Sequence, residues 1–123
     1  MRMIDLVAAI SIVVCAGAAE AQDQAADGEK LYKRVCFICH ATEAGQNKIG
    51  PSLFGVAGRK AGAVPGSTYS AAMKTANVTW DDEAIDKYIT DPKGFMPGNK
   101  MVYAGLKKEE ERKEIITYLK TLH

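Results

Sequence analysis

The stretch from Ala41 to Thr68 carries glycines at 45, 50, 55, 58, 62 and 66 together with Pro51 and Pro65, and shows little periodicity of any kind. Glycine and proline at this density favour turns over helix or strand. A loop this long is rare inside a small domain, and where it occurs it is usually functional. A second Pro/Gly segment, PKGFMPGNKMVYAG at 92–105, repeats the constraint further along. Such loops can be ordered by wrapping a large, rigid, apolar ligand.

The flanking sequence is helical in pattern. Asp27–Val35 places Leu31 and Val35 on one face, with Glu29, Lys30, Lys33 and Arg34 outward. A short helix is expected near Tyr69–Thr75. A better one starts at Thr79, where Thr79 and Asp82 resemble an N-terminal capping box, and Ile85, Tyr88 and Ile89 form its apolar stripe. Asp91-Pro92 ends it, because a residue before proline is pushed out of helical conformation. Lys107–Leu122 gives the clearest helix, with Ile115, Ile116, Leu119 and Leu122 on one side. No strand-like alternation of useful length occurs. The expected fold class is all-α, with two long loops.

At 123 residues the chain is one domain preceded by a leader. MRMIDLVAAISIVVCAGAAEA has an early arginine, an apolar run from Leu6 to Ala19, and small residues at Ala19 and Ala21. That is the order of a secretory signal, with cleavage expected after Ala21. The apolar run is short of the roughly 20 residues a spanning helix needs, so a retained anchor is the lesser reading. Residues 1–21 are therefore assigned to a signal peptide and 22–123 to the domain. Cleavage removes Cys15 and moves the formal charge from +1 to +2 by taking Arg2, Asp5 and Glu20. A balance this near zero says little about partners, so any steering must come from how the lysines are distributed; no nucleic-acid partner is expected.

Two cysteines remain, in Cys36-Phe37-Ile38-Cys39-His40. A zinc site needs four ligands, and His123 at the C-terminus is the one strong candidate left outside the motif. A reversible dithiol of the thioredoxin kind belongs in a βαβ context, and the sequence shows no strands. Cys-x-x-Cys-His is also the signature of covalent haem attachment: two thiols bond the porphyrin edge and the adjacent histidine becomes an axial ligand of the iron. Export, helical pattern and cysteine count favour haem. For the opposite axial position, Met73 lies in a helical stretch beside alanines and reads as core filler. His123 reads as a solvated end. Met96 and Met101 both sit in the second loop, and residue chemistry alone does not separate them.

The blocks GEKLYKRVCFICH, GPSLFGVAGRKAG, PGSTYSAA, Trp80, DPKGFMPGNKM and EEERKEIITYLK, in this order from Gly28 to Leu122, resemble class I cytochrome c, close to the mitochondrial protein and small periplasmic bacterial cytochromes. The resemblance implies one haem c on Cys36 and Cys39, with His40 and Met101 as iron ligands and Met96 as a packing residue. It further implies that Pro51 accepts from the second ring nitrogen of His40. It assigns Arg59, Tyr69 and Trp80 to a buried haem propionate, and Tyr88 to the neighbourhood of the methionine sulfur. Gly28 and Tyr32 are placed where the first helix crosses the last, at Ile115 and Tyr118. Several positions depart from the mitochondrial pattern: Asn99 replaces threonine, Met73 an asparagine, Tyr103 a phenylalanine and Val35 a lysine. The loop from His40 to Pro51 is one residue shorter.

The function this implies is a periplasmic single-electron carrier, not an enzyme, between a membrane quinol-oxidising cytochrome complex and a terminal oxidase or photosynthetic reaction centre. A dedicated acceptor for a periplasmic dehydrogenase is the alternative, and a haem enzyme or gas sensor with a labile Met101 a further one. Lys48, Lys93, Lys100, Lys107 and Lys108, with Lys30 by resemblance, are expected to form a positive rim that steers acidic redox partners into brief encounters. The acidic run at Glu109–Glu111 and Glu114 is expected away from that rim. The protein is expected to be a monomer that meets membrane complexes transiently.

Overall fold

Gly28 decides how the first helix meets the last. A Cβ at this position would fall on the backbone carbonyl of Glu114 and 2.8 Å from the Cβ of Tyr118, so only glycine permits the crossing. The computed structural model describes residues 16–123, and among these five helices follow one another. They are α1 (Ala16–Val35), α2 (Ala71–Thr75), α3 (Asp82–Thr90), α4 (Pro92–Phe95) and α5 (Glu109–Leu119). Helix α1 crosses α5, and α5 also packs on α3. Leu31, Ile85, Ile115, Ile116 and Leu119 form the buried centre of that packing, extended by Val56, Trp80, Tyr88, Met96 and Leu106.

The all-α architecture with two long loops is as expected from sequence, but several boundaries move. Helix α1 is already formed at Ala16, the first described residue and well before Asp27, and residues 17–23 are exposed on every side. Those nearly two turns carry none of the core, and burial begins near Gln24. Most of the expected leader, with Cys15, lies outside the described residues, while its expected cleavage point after Ala21 falls within the exposed part of α1. Helix α3 is capped by Asp81, whose Oδ1 accepts from Ala84 N at 2.8 Å, and not by Thr79. Thr79 instead pairs antiparallel with Lys60, within a short ladder where Trp80 N donates to Arg59 O (2.8 Å) and Ala61 N to Val78 O (2.9 Å). Two neighbouring residues of cap type competed, and the one not engaged by the ladder won.

Asp91 ends α3 as expected and then starts a four-residue helix that the sequence reading missed, its carboxylate accepting from Gly94 N at 3.1 Å with Pro92 in the first position. Proline suits the first turn of a helix, where its missing N–H costs nothing. Helix α5 begins two residues later than Lys107. Lys107 is drawn away, its Nζ donating to Thr90 O at 2.7 Å. Residues 41–68 contain neither helix nor strand apart from the pairing at Lys60.

Candidate functional site

Cys36, Cys39 and His40 sit on the turn that follows α1. The turn is fastened by His40 N to Cys36 O (3.0 Å) and by Gly50 N to Cys39 O (2.8 Å), so the first long loop folds back over the motif. Tyr32, one turn before, donates its hydroxyl proton to His40 O at 2.5 Å. Both cysteines are free and partly buried. Burial, with Cys39 close by, pushes the Cys36 thiol up to about 11. Dithiols that exchange electrons work through a lowered pKa, so this environment disfavours that reading. No cluster of three or more metal-ligating His, Cys, Asp or Glu side chains occurs among the described residues, which leaves zinc without a ligand set.

The His40 ring is aimed by its neighbours. Nδ1 lies 2.7 Å from Pro51 O, and because a carbonyl can only accept, Nδ1 carries the proton and Nε2 keeps its lone pair. Gly50 presses on the ring: a Cβ there would come within 2.8 Å of Nδ1. Burial lowers the His40 pKa, with Arg59 and Lys48 adding to the effect and the Pro51 bond opposing it. The result is a neutral imidazole, held from behind, with one nitrogen free to bind a metal.

Met101 is partly buried against the core, whereas Met96 is 6% exposed and sits inside it. Aromatic rings stand nearby in the chain's centre: Trp80 and Tyr88 at 4.9 Å between centroids, and Tyr88 and Phe95 at 5.9 Å. Arg59 is part-buried and donates through Nη1 to Ser52 O (3.0 Å) and Phe54 O (2.9 Å). It forms no ion pair with any carboxylate among the described residues, and burial lowers its pKa while nearby Tyr69 opposes this. Tyr69 accepts from Val64 N at 3.1 Å, which leaves its own proton to give. Trp80 is buried, yet no buried side-chain polar atom among the described residues lacks a partner; its indole N–H, which bonds nothing among those residues, therefore faces accessible space. The Tyr88 hydroxyl is in the same position, with burial pushing it up to about 12. Arg59, beyond the two carbonyls it serves, and Tyr69 and Trp80 thus keep N–H or O–H groups with no acceptor among the described residues, and Arg59 and Trp80 are tied together by their backbone pairing.

A family profile described as cytochrome c matches residues 25–123. The chain belongs to the cytochrome c family. It is 51% identical to cytochrome c2 iso-2 of Magnetospirillum molischianum over 88 residues, covering 72% of this chain and 91% of that one. It is 45% identical to the cytochrome c of Euglena viridis over 95 residues, 77% of this chain and 93% of the relative. Against cytochrome c2 of Blastochloris viridis it is 40% identical over 116 residues, 94% of this chain and 91% of the other. That last similarity is longer than the 102 residues from Gln22 to His123, so it extends into residues 1–21.

Membership identifies an electron-transport protein that binds iron in haem, with the all-α cytochrome c fold. The family implies a haem c attached covalently, and the residues present fit one: two free thiols a turn apart, an imidazole with its outer nitrogen open, and an arginine without an anion. Two clefts of about 370 and 580 Å³ lie over α3 and α5 around Asp86 and Arg112, and border none of these groups.

The six lysines of the expected rim are all exposed, but they are not alike. Lys30 pairs with Asp27 at 2.9 Å, Lys107 is tied to Thr90 O, and Lys108 lies 3.7 Å from Glu111. Lys48 sits 4.0 Å over the Phe37 ring and donates to Phe37 O. Lys93 and Lys100 form no ion pair among the described residues. Two organising side chains were not singled out from sequence. Ser52, 2% exposed, donates to Glu43 O at 2.6 Å. Arg112 binds Asp86 Oδ1 through Nε at 2.7 Å and the carbonyls of Leu106 (3.1 Å) and Lys107 (2.9 Å) through Nη1. A serine in a loop and an arginine in a charged run give no sign of such roles.

Proposed function

We propose that the protein is a soluble periplasmic carrier of single electrons. Cys36 and Cys39 would hold a haem c covalently, and His40 and Met101 would ligate its iron. The observation that carries this reading is the His40 geometry, in which Pro51 O and Gly50 fix a neutral ring so that Nε2 alone is left to bind. Bound haem supplies a one-electron iron couple. Ligation by His40 and Met101 together would suit electron exchange over substrate binding and would favour the reduced state relative to anionic ligands. Arg59, Tyr69 and Trp80 would hold a buried propionate, since a carboxylate taken out of water is costly without donors. Tyr88 would stand beside the methionine sulfur.

The chain would leave the cytoplasm through residues 1–21 and begin at Gln22, which removes part of α1 that contributes nothing to the core. Electrons would pass, through a lysine-rimmed edge, from a quinol-oxidising complex in the membrane to a terminal oxidase or reaction centre, in short encounters of a monomer. The direct test is mass spectrometry of the exported protein. The expected mass is that of residues 22–123 plus one haem, with Cys36 and Cys39 refractory to alkylation. An exported chain at apoprotein mass, with both thiols alkylated, overturns the reading.

A further inference from the structure

Asn99 commits its whole side chain to the loop that carries Met101. Its Nδ2 donates to Pro92 O at 2.8 Å and to Met96 O at 2.9 Å, while its Oδ1 accepts from Met101 N at 2.9 Å. Its backbone N–H adds a bond to Met96 O at 3.1 Å. Both carbonyls belong to residues the core holds firmly: Pro92 is fully buried at the start of α4, and Met96 is buried at its end. One amide therefore ties the backbone of Met101 to two fixed points.

Beyond Met101 the backbone makes few hydrogen bonds of its own, although the Tyr103 side chain packs against the core. Val102 is 99% exposed, and Tyr103 N bonds only back to Met101 O at 3.1 Å. The next backbone hydrogen bond to another element is that of Leu106, whose N–H donates to Ile89 O at 2.7 Å, just after Gly105, which lies against the Thr90 backbone. The Asn99 Oδ1 is the one hydrogen-bond partner of the Met101 N–H among the described residues. Resemblance places a threonine here in mitochondrial proteins. A threonine hydroxyl has a single proton, so it can serve one of the two carbonyls; the amide serves both and still accepts.

We propose that Asn99 is the positioning residue for the Met101 thioether: it fixes the Met101 backbone against α4 and so holds the sulfur in place. This rests on reading Met101 as an iron ligand. Loss of the side chain leaves the core intact but lets residues 99–105 sample conformations in which the sulfur is withdrawn. Part-buried hydrogen bonds, lost together, shift such an equilibrium on the order of tenfold or more.

The test uses the haem-loaded protein and four variants, Asn99→Ala, Asn99→Thr, Met101→Ala and Asp81→Ala. The readouts are amide hydrogen exchange at Met101, the rate of carbon monoxide binding to the ferrous form, and thermal melting. In Asn99→Ala, exchange at Met101 and carbon monoxide binding should both rise about tenfold or more, with Asn99→Thr in between. Asp81→Ala loses a helix cap, so it should lower the melting temperature while leaving both rates near the parent's. Parent-like exchange and binding in Asn99→Ala overturn the positioning role while leaving the ligand reading intact. Rates raised equally in Asp81→Ala also overturn it, because general loosening then explains the effect. If Met101→Ala binds carbon monoxide no faster than the parent, the ligand reading itself falls and takes the positioning role with it.

Discussion

At His40 one ring nitrogen must be held and the other kept open, and three neighbours divide the work. Pro51 supplies the acceptor at 2.7 Å, Gly50 the close wall, and Tyr32 the bond to the His40 carbonyl. Gly50→Ala forces a methyl into the imidazole and should cost about 1–3 kcal/mol, the usual range for overpacking. Denaturant melting of the haem-loaded protein checks this, and a variant as stable as the parent would show the ring has room. Tyr32→Phe removes one donor and should cost about 1 kcal/mol, leaving the ring geometry unchanged. The sequence carried much of this site. Cys36, Cys39 and His40 are adjacent, so their chemistry is legible as a motif. The partners of His40 come from ten residues on, across a loop without periodicity, and Pro51 was named through family resemblance alone. Asn99 stood out as a departure from the family pattern, but its bonds depend on a fold of α4 that no propensity announced.

Among the elements, the α1–α5 crossing is fixed by Gly28 and the α3–α5 contact by Arg112. Gly28→Ala should cost about 1–3 kcal/mol, because the methyl meets a helix backbone that cannot rotate away. Arg112→Ala strands the carbonyls of Leu106 and Lys107 and the Asp86 carboxylate, and should cost about 2 kcal/mol. Urea melts of each variant report both values. Tyr118 in the crossing is raised above its ordinary 10.0 by burial and by Glu29, with Lys33 pulling the other way. A folded-state pKa above the unfolded one means its contribution is complete below about pH 10 and is lost as pH rises past that value. Tyr118→Phe should therefore flatten the alkaline decline in stability, measured as melts between neutral pH and the alkaline limit. Helix positions were legible where apolar spacing is regular, as in α3 and α5. Boundaries were less so: Thr79 and Asp81 are both good caps, and the choice was made by the pairing of Thr79 with Lys60, a contact nineteen residues apart. Helix α4 has four residues, too few for any period to show.

For the molecule as a whole, the lysines differ in what they are free to do. Lys108 sits beside Glu111, in the first turn of the acidic run that was expected to lie away from the rim, so its field is locally offset. Lys93 and Lys100 flank the Met101 loop without an acid partner among the described residues. Replacing either by glutamine should lower the association rate with an acidic redox partner about two- to fivefold at low ionic strength, with the difference vanishing at high salt. Lys108→Gln should have the smaller effect. Stopped-flow rates across a salt series decide it, and equal losses from all three would mean that local pairing is irrelevant. The all-α class and the haem motif were readable from composition and spacing, because both are local patterns. How charges pair across the surface was not, since it depends on which loops meet.

The central claim is that Met101 closes the site opened by Cys36, Cys39 and His40. It is tested most directly by the charge-transfer band between sulfur and ferric iron at the red end of the visible spectrum, compared in Met101→Ala and Met96→Ala. The account predicts that the band is present in the parent, survives in Met96→Ala and disappears in Met101→Ala. A band that persists in Met101→Ala, or is absent from the parent, would contradict it.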